Sequence, residues 1–345
     1  MGEKLAIVLF NLGGPDSLDA VEPFLRNLFS DPAIIALPGL VRKPLAWWIA
    51  RRRAPIARAI YAKIGGRSPI VEETRAQADA LDKTLAERGV SAKSFIAMRY
   101  WRPLSAEAAR GIREWGADRV VLLPLYPQFS TTTTGSSFDD WDDVAARAGL
   151  GKVDSQVCCF PQQAGFIAAA RDLIQQVLTR AKPDLGYRLL LSAHGLPKRT
   201  IARGDPYQWQ IEQTAQAIVD ALGIDDLDWS VCYQSRVGPL EWIGPSTDDE
   251  IRRAGAGGKG VIVAPIAFVS EHSETLVELD IEYAHLAASA GVPDYLRVPA
   301  VGSHPQFISG LADLVMQAAT SNTTINGTGA RLCPRTFGRC ACGEP

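Results

Sequence analysis

Short apolar runs alternate with amphipathic stretches along this chain, and the two periodicities assign most of it. Uninterrupted apolar runs stand at 5–12 (LAIVLFNL), 94–100 (SFIAMRY), 119–126 (RVVLLPLY), 154–160 (DSQVCCF), 188–194 (RLLLSAH), 229–235 (WSVCYQS), 260–268 (GVIVAPIAF) and 295–301 (YLRVPAV). Runs of that kind predict strands buried on both faces. Between them, 73–89, 166–181 and 207–223 repeat their apolar residues every three to four positions, which predicts helices. Strand and helix in alternation predict an α/β fold whose parallel sheets are flanked by helices.

The pattern also echoes itself. DRVVLLPLYPQFS resembles GKGVIVAPIAFVS, and AIVLFNLGGP resembles RLLLSAHGLP. Two similar Rossmann-like domains with a cleft between them is the economical reading. The first is expected over 1–165, ending after the turn FPQQAG, and the second over 166–304. The helical pattern at 305–320 is expected to pack back on the first domain. Beyond it the composition falls to small and polar residues, which predicts a cysteine-bearing tail over 321–345 with no core element of its own.

Composition narrows the class. A chain of 345 residues, 47% hydrophobic, has more apolar matter than one core needs. A net charge of −2 gives no general attraction to nucleic acid. No run reaches the ~18–20 apolar residues of a spanning helix, and no secretory signal is evident, so a cytoplasmic protein is expected. Six cysteines in such a chain argue for metal or redox chemistry, or burial, over disulfides.

The densest chemistry lies in FVSEHSETLVELDIEY. Glu271, Glu274, Glu278 and Glu282 are spaced i, i+3, i+7, i+11, one stripe of an α-helix, with His272 beside the first. Such repulsion does not serve stability. The run follows a buried strand, where ligand crevices of open α/β sheets lie. The acids and imidazole there suit a divalent cation or a proton relay, against the plainer reading of a solvated acidic face. His194 ends another strand, before a Gly-Leu-Pro turn, and can act as base or acid near neutrality. Trp242 stands between two Gly-Pro pairs on a loop, where an indole suits a large flat ligand. Arg99, Tyr100 and Trp101 offer a cation and aromatics at a third strand end. The hydroxyl-rich loop at 123–137 lacks the lysine of a P-loop, so a nucleoside triphosphate is not expected.

Residues 34–64 interleave apolar and tryptophan positions with Arg42, Lys43, Arg51, Arg52, Arg53 and Arg58. That pattern fits a lid, or a segment lying on an anionic membrane surface. In the tail, Cys333, Cys340 and Cys342 have no packing explanation. With Cys158 or Cys159 as a fourth ligand they would bind an iron–sulfur cluster or zinc. Cys232, inside an apolar strand, reads as a buried small hydrophobe.

Together NLGGP, GGRSPI, RYWRP, LYPQFSTTTTGSS, LSAHGLP, YQSRVGPLEWIGPST and FVSEHSETLVELDIEY resemble the ferrochelatase family, in its order, over residues 4 to 320. The resemblance implies a lyase that inserts Fe(II) into a porphyrin, with two chelatase-type domains and no nucleotide or organic cofactor. It makes His194 the acceptor of pyrrole protons and Glu274 the glutamate facing it. Glu271, His272, Glu278 and Glu282 would continue the path of the substrate iron. Leu12, Arg99, Tyr100 and Trp242 would lie by the macrocycle, and 34–64 would be the apolar lip of its pocket. Lys63 stands where animal members carry a propionate-binding arginine, keeping the charge without the bidentate geometry. The tail resembles the subset with a C-terminal [2Fe–2S] cluster, held here by Cys333, Cys340, Cys342 and Cys158, with Cys159 as the alternative. Thr131 occupies the position of one animal ligand, and strand alternation lets only one of Cys158 and Cys159 face the tail.

The expected reaction makes protohaem from protoporphyrin IX and releases two protons. Coproporphyrin as substrate, a cobalt or nickel tetrapyrrole chelatase, and a two-lobed haem- or metal-binding protein without chemistry are the alternatives. The expected partners are porphyrin and ferrous iron, not nucleic acid, with peripheral contact to the inner membrane through 34–64.

Overall fold

The computed structural model describes residues 3–150, 155–236, 238, 240–321, 323–327 and 331–342. Its residues group into two compact units. One comprises Met1–Cys159, Leu311–Arg331 and Ala341–Pro345, and the other Phe160–Gly310 and Leu332–Cys340.

The first unit holds strands β1 (Leu5–Asn11), β2 (Ala92–Met98), β3 (Arg119–Pro124) and β4 (Gln156–Val157), with helices α1 (Val21–Phe29), α2 (Gly39–Ala62), α3 (Ile70–Glu87), α4 (Ser105–Trp115) and α5 (Ser136–Ala148). β1 pairs with both β2 and β3 and is buried along its whole length, which is why it reads as an unbroken apolar run. Its Ala6, Val8 and Phe10 share one face and join Ile112 of α4 and Phe138 and Trp141 of α5 in a core cluster. Phe10 meets the last two rings edge-on, at 5.8 and 5.9 Å. In α2, Ala46, Ala50 and Ala54 recur at four-residue spacing and are buried, so α1 packs closely on that stripe.

The second unit holds β5 (Tyr187–His194), β6 (Trp229–Gln234), β7 (Gly260–Pro265) and β8 (Tyr295–Arg297), with α6 (Ala164–Leu178), α7 (Lys198–Ala202), α8 (Tyr207–Leu222), α9 (Thr247–Ala256) and α10 (Tyr283–Ser289). All strands are parallel, in the order β6-β5-β7-β8. The first sheet begins β2-β1-β3-β4 and has a fifth strand beyond β4, so both halves place their first strand second from the edge. The order reverses beside that strand, which makes its carboxyl end the natural ligand position. The expected boundary at 165 falls inside the first turn of α6.

Helix α11 (Pro305–Thr320) spans the division at 310/311. Its second half is tied into the first unit by Arg88 Nη1 to Asp313 at 2.6 Å and by Arg119 Nη1 donating to the Ala319 carbonyl at 2.6 Å.

Three expectations are corrected. The strand at 154–160 contracts to Gln156–Val157. The segment beyond residue 320 is not free of sheet: β9 (Thr324–Ile325) pairs with β4 and buries Ile325, because the sheet edge leaves backbone groups to satisfy. The acidic run is not an α-helix from 271, since Glu271 and His272 lie in the turn before a π-helical segment, Glu274–Glu282. Its i→i+5 bonding makes room for an extra residue per turn, a geometry that recurs at functional sites.

Candidate active site

His194 is the last residue of β5, and its carbonyl accepts the Tyr207 hydroxyl at 3.0 Å. The next residue is a glycine in a tight place. A Cβ on Gly195 would lie 3.0 Å from the Gln234 carbonyl oxygen and 3.4 Å from the Trp242 ring. About a third of the His194 side chain (36%) is open.

His194 Nδ1 lies 2.9 Å from Glu274 Oε2. A carboxylate can only accept, so the ring donates from Nδ1 and the neutral imidazole keeps its lone pair on Nε2. On the other side His272 Nε2 lies 3.8 Å from the same Glu274 oxygen. His272 Nδ1 donates to the Ser270 carbonyl at 3.2 Å, and its ring tilts against Phe268 at 4.4 Å. One carboxylate thus stands between two imidazoles.

Burial lowers the pKa of His194, but Glu274 and then Glu278 outweigh it, leaving it above the ordinary histidine value. Burial raises that of Glu274, but His194 and His272 pull it well below the usual carboxylate range. Glu274 is therefore ionised at neutral pH, and His194 becomes a free base only as pH climbs past its raised value.

The other glutamates diverge. Glu278 Oε1 accepts from the Ser235 N–H at 2.8 Å and Tyr283 OH at 3.1 Å, and Oε2 from Gln234 Nε2 at 2.9 Å and Ser235 Oγ at 2.5 Å. Burial and the Glu274 charge still raise its pKa. Glu271 Oε1 is held by Arg297 Nη1 at 2.5 Å and by the Ala300 N–H at 2.9 Å. Burial raises the Glu271 pKa, but Arg297 brings it below the usual value. Glu282, at the far end of the segment, is exposed. The four acids form no uniform row, and Glu274 is the one that engages His194.

In the first unit, Leu12 follows β1, half-buried against the cluster of Val21, Phe24, Ala50, Tyr61 and Tyr100. Arg99 and Tyr100, the cation and aromatic expected beside the macrocycle, follow β2. Both turn to buried Asp31, Arg99 Nη2 at 2.9 Å and Tyr100 OH at 2.8 Å. Ser136 also donates to Asp31, while Arg99 Nε donates to Ser136 Oγ at 2.7 Å. The cause is Asp31 itself, 3% exposed, a buried carboxylate that needs a cation and donors. Lys63 is exposed just beyond α2. In the second unit, Trp242 lines a cavity of about 560 Å³ with Lys198, Ile201, Ala202, Gln208, Ile243 and Gly244.

All six cysteines are free thiols. Cys158 Sγ lies 3.4 Å from both Cys342 Sγ and Cys159 Sγ. Both residues follow the end of β4, so strand alternation does not separate them. Cys333 Sγ accepts from Gln210 Nε2 at 3.0 Å, Phe337 meets Trp209 at 6.1 Å, and the Arg339 N–H donates to the Gly204 carbonyl at 3.1 Å. Among the described residues, no group of three or more His, Cys, Asp or Glu side chains is arranged to hold a metal ion. Cys232 is fully buried, with Thr247 donating to its sulfur, and burial pushes its thiol up to about 12.

Sequence reasoning missed Gln234, Ser235, Arg297 and Asp31. Gln234 and Ser235 stand in the quoted YQSRVGP at a strand end, a position that signals function. Asp31 and Arg297 carry no such signal.

A family model described as Ferrochelatase matches residues 4–319. Relatives named ferrochelatase include that of Phenylobacterium zucineum, 55% identical over 98% of both chains. Those of Caulobacter vibrioides (54%, covering 100% of this chain and 99% of that one) and Pelagibacter ubique (44%, 98% of each) are also similar. Among solved structures, SirB from Bacillus subtilis with Fe3+ shares the fold at TM-score 0.54 and 12% identity, over 92% of this chain and 96% of that one. A match of this extent to the family model and to full-length relatives means that the chain belongs to the ferrochelatase family.

Proposed function

We propose that the protein is a ferrochelatase, a lyase that inserts Fe(II) into protoporphyrin IX to form protohaem with release of two protons. The observation that carries this is the His194–Glu274 pair at the carboxyl end of β5, with Nε2 left as the acceptor. A free-base porphyrin must lose two inner N–H protons as the metal enters. Neutral His194 takes them at Nε2 one at a time, passing the first to water before it accepts the second, and ionised Glu274 holds the ring in that tautomer and stabilises the imidazolium that forms each time. Oxygen ligands suit the entry of a divalent substrate ion better than thiolates, since they hold it less tightly. Glu274 is the carboxylate best placed for that, with His272 behind it; Glu271 and Glu278 border the path and Glu282 lies at its outer end. Leu12, Trp242 and Lys63 are proposed to contact the macrocycle and its carboxylates. Arg99 and Tyr100 are proposed to support that wall through Asp31.

The test is metal insertion by the purified protein, read by fluorescence with Zn(II) and by haem absorbance with Fe(II), with protoporphyrin and coproporphyrin in parallel. Turnover with protoporphyrin is expected; porphyrin binding without turnover would make it a binding protein.

The tail is proposed to carry a [2Fe–2S] cluster on Cys158, Cys333, Cys340 and Cys342. The Cys158–Cys342 separation of 3.4 Å supports this, since two thiolates on one tetrahedral metal at ~2.3 Å bonds stand about 3.8 Å apart. A cluster there would order the tail. A visible absorption band in freshly purified protein, lost in Cys342→Ser, is expected; a colourless protein with stoichiometric zinc would replace the cluster with a zinc site.

No helix among the described residues is long and apolar enough to cross a membrane. Surface contact is proposed through α2, where Leu40, Trp47, Trp48 and Ile56 are exposed and Arg51 and Arg52 stack on the two indoles at 5.4 and 4.9 Å.

A further inference from the structure

Glu274 meets His194 only while the π-helical segment keeps one register against the end of β5, and that register has a visible holder. Gln234, the last residue of β6, is 1% exposed. Its Nε2 donates to the Glu274 carbonyl at 3.1 Å and to Glu278 Oε2 at 2.9 Å. A carbonyl and a carboxylate can only accept, so the amide has one allowed orientation. Its Oε1 is left for the Ser192 hydroxyl, which donates at 2.8 Å. Ser192 lies on β5, two residues before His194. One side chain therefore bonds the strand that ends in the histidine and the backbone of the glutamate that the histidine meets.

The next residue strengthens the case. Ser235 sits at φ 60°, a left-handed conformation that a residue with a Cβ adopts only at a cost. From there it aims both its N–H and its hydroxyl at Glu278. Such strain persists where surrounding bonds over-determine it.

We propose that Gln234, oriented by Ser192, is a positioning residue for metal insertion: it sets the register of the 274–282 segment so that Glu274 engages His194 Nδ1 and Nε2 stays free. This rests on the ferrochelatase reading above. The same bracket saturates Glu278, which makes that carboxylate a fixed wall and not a carrier of iron.

The experiment compares wild type, Gln234→Met and Ser192→Ala, all full-length, in zinc insertion into protoporphyrin. Porphyrin affinity and stoichiometry are measured by fluorescence quenching, and Tm alongside. Gln234→Met is expected to lower turnover per bound porphyrin roughly 10- to 100-fold, with KM for porphyrin near wild type, because small misplacements of reacting groups cost about that much. Ser192→Ala should show the same split at smaller size. A purely structural role would lower Tm and the fraction of protein that binds porphyrin, leaving turnover per bound porphyrin unchanged; that result in both variants overturns the proposal. If Gln234→Met does not fold, Ser192→Ala alone decides. A wild type that binds porphyrin yet inserts no metal refutes the activity reading instead.

Discussion

The two sheets share a strand order, and their first strands end in aligned motifs, AIVLFNLGGP and RLLLSAHGLP, yet they finish differently. Where β5 ends in His194, the aligned position after β1 is Leu12. The first unit does carry charge nearby, but it consumes that charge internally: Asp31 takes up Arg99, Tyr100 and Ser136. The second unit pairs its histidine with one carboxylate through Nδ1, which leaves Nε2 as the acceptor. Topology supplies the position in both halves; the unspent valence of the side chain decides whether that position does chemistry.

The comparison breaks most sharply at His194. His194→Ala should cost about 10²–10⁴-fold in metal insertion while porphyrin binding stays near normal, as loss of a general base does. A variant keeping more than a tenth of wild-type turnover would show that Nε2 is not the acceptor.

Glu274→Gln should come next, losing roughly 10²-fold, and it carries a pH signature. Wild-type activity should rise with pH through a value above the ordinary histidine pKa, because Glu274 holds the proton on His194. Without that charge, burial lowers the pKa with only Glu278 opposing it, so the acid limb should move to lower pH. Glu282→Gln, at an exposed site, should leave turnover and profile near wild type. Equal losses from both would sink the distinction drawn along the segment.

Asp31→Asn should act on the first unit's stability and not on rate. Leaving Arg99 with a weakened partner in a mostly buried setting should cost about 3 kcal/mol, read as a lower unfolding midpoint. Turnover of the folded fraction should persist. Lost turnover at unchanged stability would mean that the Arg99–Asp31 pair takes part in the reaction.

Much of this was legible in the chain. Buried parallel strands announce themselves as unbroken apolar runs, so β1, β3, β5 and β7 were readable, and with them the position of His194. Two-residue strands such as β4 and β9 are too short to carry a period, and pairing between residues 156 and 324 is a long-range matter. The bonds of Arg99 and Tyr100 to Asp31 are hidden in the sequence, because that acid is distant from them and looks like an ordinary loop residue. The glutamates were visible, but their separate fates depend on Arg297, Gln234 and Ser235, which only the fold delivers.

The π-helical geometry of 274–282 has a consequence for insertions and deletions. A residue removed between Glu274 and Glu278 would let the turn tighten toward α-helical spacing, which takes up the loss for the elements beyond but puts Glu278 out of step with Glu274 inside the segment. Glu278 would leave the grip of Gln234 and Ser235 although every functional side chain remained in the sequence. Single-residue gaps in this segment should therefore be far less tolerated than point substitutions on its exposed side, and ferrochelatase variants that differ in length here should be read as altered in mechanism before any residue is compared.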